Sequence, residues 1–209
     1  MTSALQQSYQ QLIDSGRLQP DEAQATAVHT LGPIQQVWQS GDEGKSSGFL
    51  SKFINNKTSD TPQGIYLWGD VGRGKSMLMD LFYESVNSTG KRRVHFHAFM
   101  QEIHGALHEA RKTGVDDAIR PVAEEVAGKV ELLCFDEMQI TDITDAMIVG
   151  RLFEKLFEAG VAVVTTSNRP PRDLYKDGLN RQLFLPFIDL LNDRMEVLEL
   201  AAETDYRQD

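Results

Sequence analysis

The chain has 209 residues, 41% hydrophobic and 25% charged, an ordinary soluble composition that lets one domain bury a substantial core. A formal net charge of −10 argues against nucleic acid as the main partner, because holding a duplex takes concentrated Lys and Arg. One cysteine, Cys134, excludes a disulfide framework and points to a reducing, cytoplasmic setting, and no apolar run approaches the roughly 18–20 residues that span a bilayer.

Residues 1–62 read as a helical segment packing on the core that follows, with no leader pattern in MTSALQQSYQ. Tyr9, Leu12 and Ile13 predict a short amphipathic helix ending near Gly16. Pro20-Asp21-Glu22 opens a second, carrying Ala23, Ala27, Val28, Leu31, Ile34 and Val37 toward a core. Ser40 to Ser47 is a loop rich in Gly, Ser and charge. Phe49, Leu50, Phe53 and Ile54 predict a short helix, and Asn55 to Pro62 another loop.

Ile65 to Trp68 is a short apolar run with the composition of a buried parallel strand. Gly69, Asp70, Val71, Gly72, Arg73, Gly74, Lys75 and Ser76 then fit G-x-x-x-x-G-K-[ST]. Glycines allow positive φ and keep side chains away, so backbone N–H groups can curl around phosphate oxygens. Lys75 is placed to reach the β- and γ-phosphates, and the Ser76 hydroxyl to ligate Mg²⁺. Met77, Leu78, Leu81, Phe82 and Val86 predict a helix from this point, whose dipole adds positive potential where phosphates sit. The bland alternative is a glycine-rich turn. A strand before it and a helix after it favour a nucleoside-triphosphate site.

Lys91-Arg92-Arg93, the one basic cluster, reads as a solvated strand entrance. Arg93 to Phe99 predicts a second strand, then Phe99 to Arg111 and Asp116 to Gly128 predict helices. His95 and His97 alternate on that strand, and His104 and His108 stand i, i+4 on the helix, a spacing that can bind zinc; packing in the core is the favoured reading. Val130 to Phe135 predicts a third strand with Asp136 and Glu137 at its carboxyl end. Open α/β sheets bind ligands at that edge. Asp136 is therefore expected to hold Mg²⁺ directly or through water, and Glu137 to act as general base on the attacking water. An acidic terminus facing solvent is the alternative. Ile143 to Ala159 predicts a long helix and Val161 to Thr166 a fourth strand, ending in Ser167-Asn168-Arg169-Pro170-Pro171. The Asn168 amide is expected to hold water or contact the γ-phosphate, a turn-forming Asn being the alternative. Asp173 to Lys176 and Gln182 to Leu191 predict shorter helices, and Met195 to Leu200 a fifth strand. Such alternation makes an α/β fold with a parallel sheet covered on both faces.

A phosphate loop, an apolar run ending in Asp-Glu, and a strand ending in Ser-Asn together resemble the AAA+ ATPases. GIYLWGDVGRGKSMLMDLFY, RRVHFHAFM, LLCFDEMQITDITDAMI, VVTTSNRPP and DLYKDGLNRQLFLPFI resemble more narrowly the ZapE-like cell-division ATPases and their mitochondrial relatives. Leu18, Asp21, Ala23 and Gln24 are similar too. The resemblance implies a P-loop NTPase core over residues 63–209, with five parallel strands ordered 5-1-4-3-2. It implies ATP and Mg²⁺ as cofactors, Lys75 and Ser76 in the Walker A roles, Asp136 and Glu137 in the Walker B roles, and Asn168 as first sensor. It also implies a ring of identical subunits in which a neighbour's arginine completes each site. Arg181 is the favoured finger; Arg169, Arg172 and Arg194 compete. Relatives continue into a helical lid after the fifth strand, whereas this chain stops at Asp209, so the resemblance implies a core cut before its lid and weakened in activity. Two outputs are open: hydrolysis by water attack on the γ-phosphate, or a nucleotide-gated adaptor for division or membrane-associated partners. A small-molecule kinase is a weaker third, since adjacent acids suit water activation and no acceptor motif is visible.

Overall fold

The computed structural model describes residues 3–39 and 62–201; the short helix expected at Phe49 to Ile54 lies outside them. Strands β1 (Gly64–Trp68), β2 (Lys91–His95), β3 (Leu132–Asp136), β4 (Ala162–Ser167) and β5 (Met195–Glu199) form one sheet, ordered β2-β3-β4-β1-β5. All neighbours run parallel. This is the expected order read from its other edge.

The cause lies in the strand composition. Ile65, Tyr66 and Leu67 in β1, and Leu132 to Phe135 in β3, are all buried, which requires cover on both faces. Successive side chains point to opposite faces, and the core divides accordingly. Tyr66, Leu133, Phe135 and Val163 join α4 (Phe96–Lys112), α5 (Ile119–Ala127), α6 (Ile143–Glu158) and α7 (Leu185–Arg194). Ile65, Leu67, Cys134 and Val164 join α1 (Ala4–Asp14), α2 (Glu22–Gln39) and α3 (Lys75–Ser85).

Helix α1 starts at a reciprocal cap: the Gln6 N–H donates to Ser3 Oγ at 3.2 Å, and the Ser3 N–H to Gln6 Oε1 at 2.8 Å. Leu5 and Tyr9 from α1, with Ala27, Val28 and Leu31 from α2, pack in one cluster with Leu78 and Phe82 of α3. The side chains of Ile34 and Val37 are outside the described set. Among the described residues no helix is long and apolar enough to cross a membrane.

Three local expectations change. Strand β2 ends at His95 and α4 begins at Phe96, because Phe96, Phe99, Met100, Ile103 and Leu107 form one buried helical face. His95, His97 and His108 are therefore exposed rather than packed. Half-buried His104 places Nε2 2.6 Å from Asp145 Oδ1 on α6. No cluster of three or more His, Cys, Asp or Glu that could hold a metal occurs among the described residues. The basic cluster is not a solvated entrance either. Lys91 Nζ donates to the Tyr83 and Val86 carbonyls at 2.6 Å each, Arg92 pairs with Glu102, and Arg93 with Asp80 and Asp136. Of the two short helices expected after β4, the first is the 3₁₀ turn Pro171–Asp173, while the second is α7, entered through a 3₁₀ turn at Arg181–Leu183.

Phe153 lies at the centre of the aromatic core, with ring centroids 5.7 Å from Phe135, 6.1 Å from Phe157 and 5.3 Å from Phe187. Phe153→Ala is expected to cost ~3–5 kcal/mol. Urea unfolding read by alkylation of Cys134 checks this. That thiol is fully buried, with its pKa pushed up to about 12 by desolvation, so it reacts only when the core opens.

Candidate functional site

Parallel strands deliver their carboxyl ends to one edge, and the site is assembled there. After β1, the chain turns through Gly72 and Gly74, each at φ +84°, a left-handed conformation that glycine adopts without strain. A Cβ on Gly69 would stand 2.6 Å from the Leu200 carbonyl oxygen, and one on Gly74 2.8 Å from Gln24 Nε2. Nothing larger fits at Gly69 and Gly74, whereas at Gly72 there is open space and the left-handed backbone alone favours glycine. Helix α3 then starts at Lys75 with no side chain capping it, so its first N–H groups remain open to an anion.

Lys75 is buried, and its ammonium donates to the Gly69 and Asp70 carbonyls at 2.7 Å each. Burial pulls its pKa down, while the Asp70 and Glu137 carboxylates work in the other direction.

At the β3 exit, Glu137 takes φ +55°. Its N–H donates to Thr166 Oγ1 at 3.1 Å, and the Met138 N–H to the Thr166 carbonyl at 2.7 Å. The Ser167 hydroxyl donates to the Met138 carbonyl at 2.8 Å and accepts the Arg169 N–H at 3.2 Å. The exits of β3 and β4 are thereby stitched together.

A cavity of about 310 Å³ lies between these parts, a small-molecule volume. Val71, Gly72, Gly74, Lys75, Ser76 and Met77 form its wall on the side of β1 and α3; Glu137, Thr166, Ser167 and Asn168 form the opposite wall. The structure thus brings together most of the residues expected from the sequence. Gly69 and Asp70 do not line it, but their carbonyls accept from Lys75. Arg73 does not line the cavity; it pairs with Asp21 and donates to the Leu200 and Ala201 carbonyls.

Asp136 departs from expectation. Its carboxylate is not on the cavity wall but accepts a two-pronged bond from Arg93, Nε to Oδ2 at 2.7 Å and Nη2 to Oδ1 at 3.0 Å. The ladder pairs His95 with Asp136, so Arg93, two residues earlier, shares the face of that carboxylate. Arg93 also pairs with Asp80 of α3, and these carboxylates raise its pKa. Arg181 lies off the cavity as well. Its Nη2 donates to the Arg172 carbonyl at 2.6 Å, and its buried Nε has no partner among the described residues. Arg194 bonds Gln63 just ahead of β1 and β5, at the opposite edge of the sheet. Thr166, Ser167 and Met77 are cavity residues that sequence reasoning missed; the hydroxyl run Thr165-Thr166-Ser167 ahead of Asn168 was the available signal. The oxygen donors of Ser76 and Glu137, with Asp136 one residue behind the wall, are the hard set that suits a magnesium ion.

A model of the AFG1-like ATPase family matches residues 2–209. The chain is 39% identical to the cell division protein ZapE of Escherichia coli K12 over 207 residues, covering 95% of this chain and 55% of that protein. It is 48% identical to lactation elevated protein 1 homolog B of Danio rerio over 155 residues, covering 70% of this chain and 31% of that one. The chain thus spans about half the length of ZapE and less of the zebrafish protein. The crystal structure of DnaI superposes with a TM-score of 0.50 at 16% identity, covering 87% of each chain, a likeness of fold alone.

Gly74→Ala tests the loop geometry. The left-handed backbone alone costs about 1–2 kcal/mol with a Cβ, and the contact with Gln24 adds to it. A shift of that size or larger in a denaturant midpoint is expected.

Proposed function

Because this chain belongs to the AFG1-like ATPase family, we propose that it binds ATP in the cavity beneath residues 69–76 and hydrolyses it. The observation that supports this best is the single cavity shared by Lys75, Ser76, Glu137 and Asn168. Phosphate oxygens would replace the Gly69 and Asp70 carbonyls as partners of the Lys75 ammonium, trading neutral acceptors for charged ones. Open N–H groups at the start of α3 would take further oxygens. Ser76 would hold a magnesium ion with Asp136, the latter sharing its carboxylate with Arg93; the ion supplies charge neutralisation at the phosphates. Glu137 removes a proton from the attacking water, whose oxygen bonds to the γ-phosphorus as the bond to the bridging oxygen breaks, leaving ADP and phosphate. Asn168 orients that water.

Assembly with further copies belongs to the same reading. Leu179, Leu183 and Leu185 are 70%, 62% and 41% exposed around Arg181. An apolar surround of this kind supports docking on a second copy, whose site Arg181 would complete, a contribution of ~10³–10⁵ in rate. A cytoplasmic ring acting with cell-division proteins, as the name of the ZapE relative suggests, is the setting we propose.

Glu137→Gln is expected to keep ATP bound while turnover drops by about 10²–10⁴; a nucleotide-binding titration beside a phosphate-release assay checks this, and unchanged turnover removes Glu137 from its role. Arg181→Ala is expected to lower turnover by at least ~10³. Mixing these two variants should restore part of the activity, since an Arg181→Ala subunit beside a Glu137→Gln subunit holds one complete site. No recovery on mixing would exclude action in trans.

A further inference from the structure

Leu18, Asp21, Ala23 and Gln24 carry part of the family resemblance, yet none of them lines the cavity. Asp21 stands just ahead of α2 and uses both carboxylate oxygens. Oδ1 accepts the Gln24 N–H at 2.9 Å, as a helix cap does, and Oδ2 accepts Arg73 Nη2 at 2.9 Å. Gln24, 7% exposed, donates from Nε2 to the Arg73 carbonyl at 3.1 Å. Arg73 is therefore held by its side chain and its backbone at once, between the two left-handed glycines of the phosphate loop. The same guanidinium donates onward to the Leu200 carbonyl at 3.4 Å and to that of Ala201. The Leu200 N–H in turn donates to the Trp68 carbonyl at 2.7 Å. On the other side, the Tyr9 hydroxyl donates to the Asp21 carbonyl at 3.3 Å, which reaches α1.

We propose that Asp21 and Gln24 are positioning residues for the phosphate loop: by fixing Arg73 they hold the turn from Gly72 to Gly74 open for phosphates. The proposal rests on the nucleotide reading above. Glycines lose more conformational freedom on ordering than any other residue, so a loop built from them must be held in place if binding is not to carry that cost. The clamp does this from outside the cavity, touching no phosphate. It also ties the loop to α2 and to the segment leaving β5, so nucleotide binding and the seating of these two parts are one equilibrium.

The test uses Asp21→Asn, which keeps an oxygen to accept the Gln24 N–H while removing the charge that holds Arg73. Three quantities are read: amide hydrogen exchange of residues 69–76 in the nucleotide-free chain, affinity for ADP, and melting temperature without nucleotide. The expected result is faster exchange in the loop, about tenfold weaker ADP binding, and a melting temperature close to that of the unaltered chain. Combining it with Arg73→Gln should add little, because both changes break one clamp. A clamp that is only a structural tie would lower the melting temperature with no loss of ADP affinity, and that outcome overturns the proposal. Unchanged loop exchange, or losses that add in full, overturns it too. Should Asp21→Asn fail to fold, Arg73→Lys serves instead, since it keeps the charge but loses the planar fork, and the same loop exchange and ADP affinity are read. If the unaltered chain binds neither ADP nor ATP, the nucleotide reading falls, while loop exchange in the free chain still decides whether the clamp exists.

Discussion

The direction of the strands is the constraint from which the rest follows. In the parallel ladder, Trp68 pairs with Ser167, and Phe135 with Thr165. The phosphate loop, Asn168 and Glu137 therefore all lie just beyond the last rungs of three adjacent strands. Neighbouring strands are about 4.8 Å apart, so a group leaving β1 and a group leaving β3 stand roughly 10 Å apart, with β4 between them. A triphosphate tail spans such a gap. One reversed strand would carry its exit to the far edge, where Arg194 and Gln63 meet, and no loop adjustment could bring it back.

Charge is arranged at this edge so that Lys75, Arg73 and Arg93 each have partners before any ligand arrives. An ammonium taken out of water without compensation is costly, and two main-chain carbonyls hold that of Lys75. Arg93 stands between Asp136 and Asp80, and Arg73 between Asp21 and two carbonyls. Neutral carbonyls are the weakest of these partners, which makes Lys75 the group most ready to exchange its contacts for an anion. Asp136 is the reverse case. Its bidentate partner is a cation, so any ion drawn to it competes with Arg93.

What could be read from the sequence depended on how far apart the cooperating residues lie along the chain. The strand, glycine turn and helix around residues 69–76 were legible because their demands are met within a short stretch, and β1 and β3 because burial on both faces leaves a continuous apolar run. The boundary between β2 and α4 was not. In RRVHFHAFM, Val94 and Phe96 are spaced by two, as in a strand, while Phe96, Phe99 and Met100 are spaced as in a helix. Packing of Phe96 and Phe99 against Phe135 decides for the helix, and local periodicity carries no trace of that. Once the helix starts at Phe96, His97 turns outward. The pairing of Arg93 with Asp136 joins residues 43 apart, and Arg73 with Asp21 joins residues 52 apart. Neither is a motif. Within G-x-x-x-x-G-K-[ST] the residue at Arg73 counts as a spacer, although it is the most heavily bonded side chain of the loop.

The two walls of the cavity are consequently held in different ways. On the wall of β3 and β4, Thr166 and Ser167 fix the backbone of Glu137 and Met138 by three hydrogen bonds. A non-glycine residue at positive φ is strained, so Glu137 depends on that stitching for its direction, and Asn168 follows Ser167 directly in the chain. Glu137 and Asn168 are therefore positioned by one set of hydrogen bonds. The other wall is a glycine turn held at Arg73, whose guanidinium bonds Asp21 ahead of α2 and the carbonyls beyond β5. The bonds of this wall run to outer elements, and those of the first run only between strand exits of the sheet. Hydroxyls on a buried strand are locked by their neighbours, whereas the glycine turn takes its hold from two long side chains of its own, Lys75 on the Gly69 and Asp70 carbonyls and Arg73 on Asp21 and the chain beyond β5.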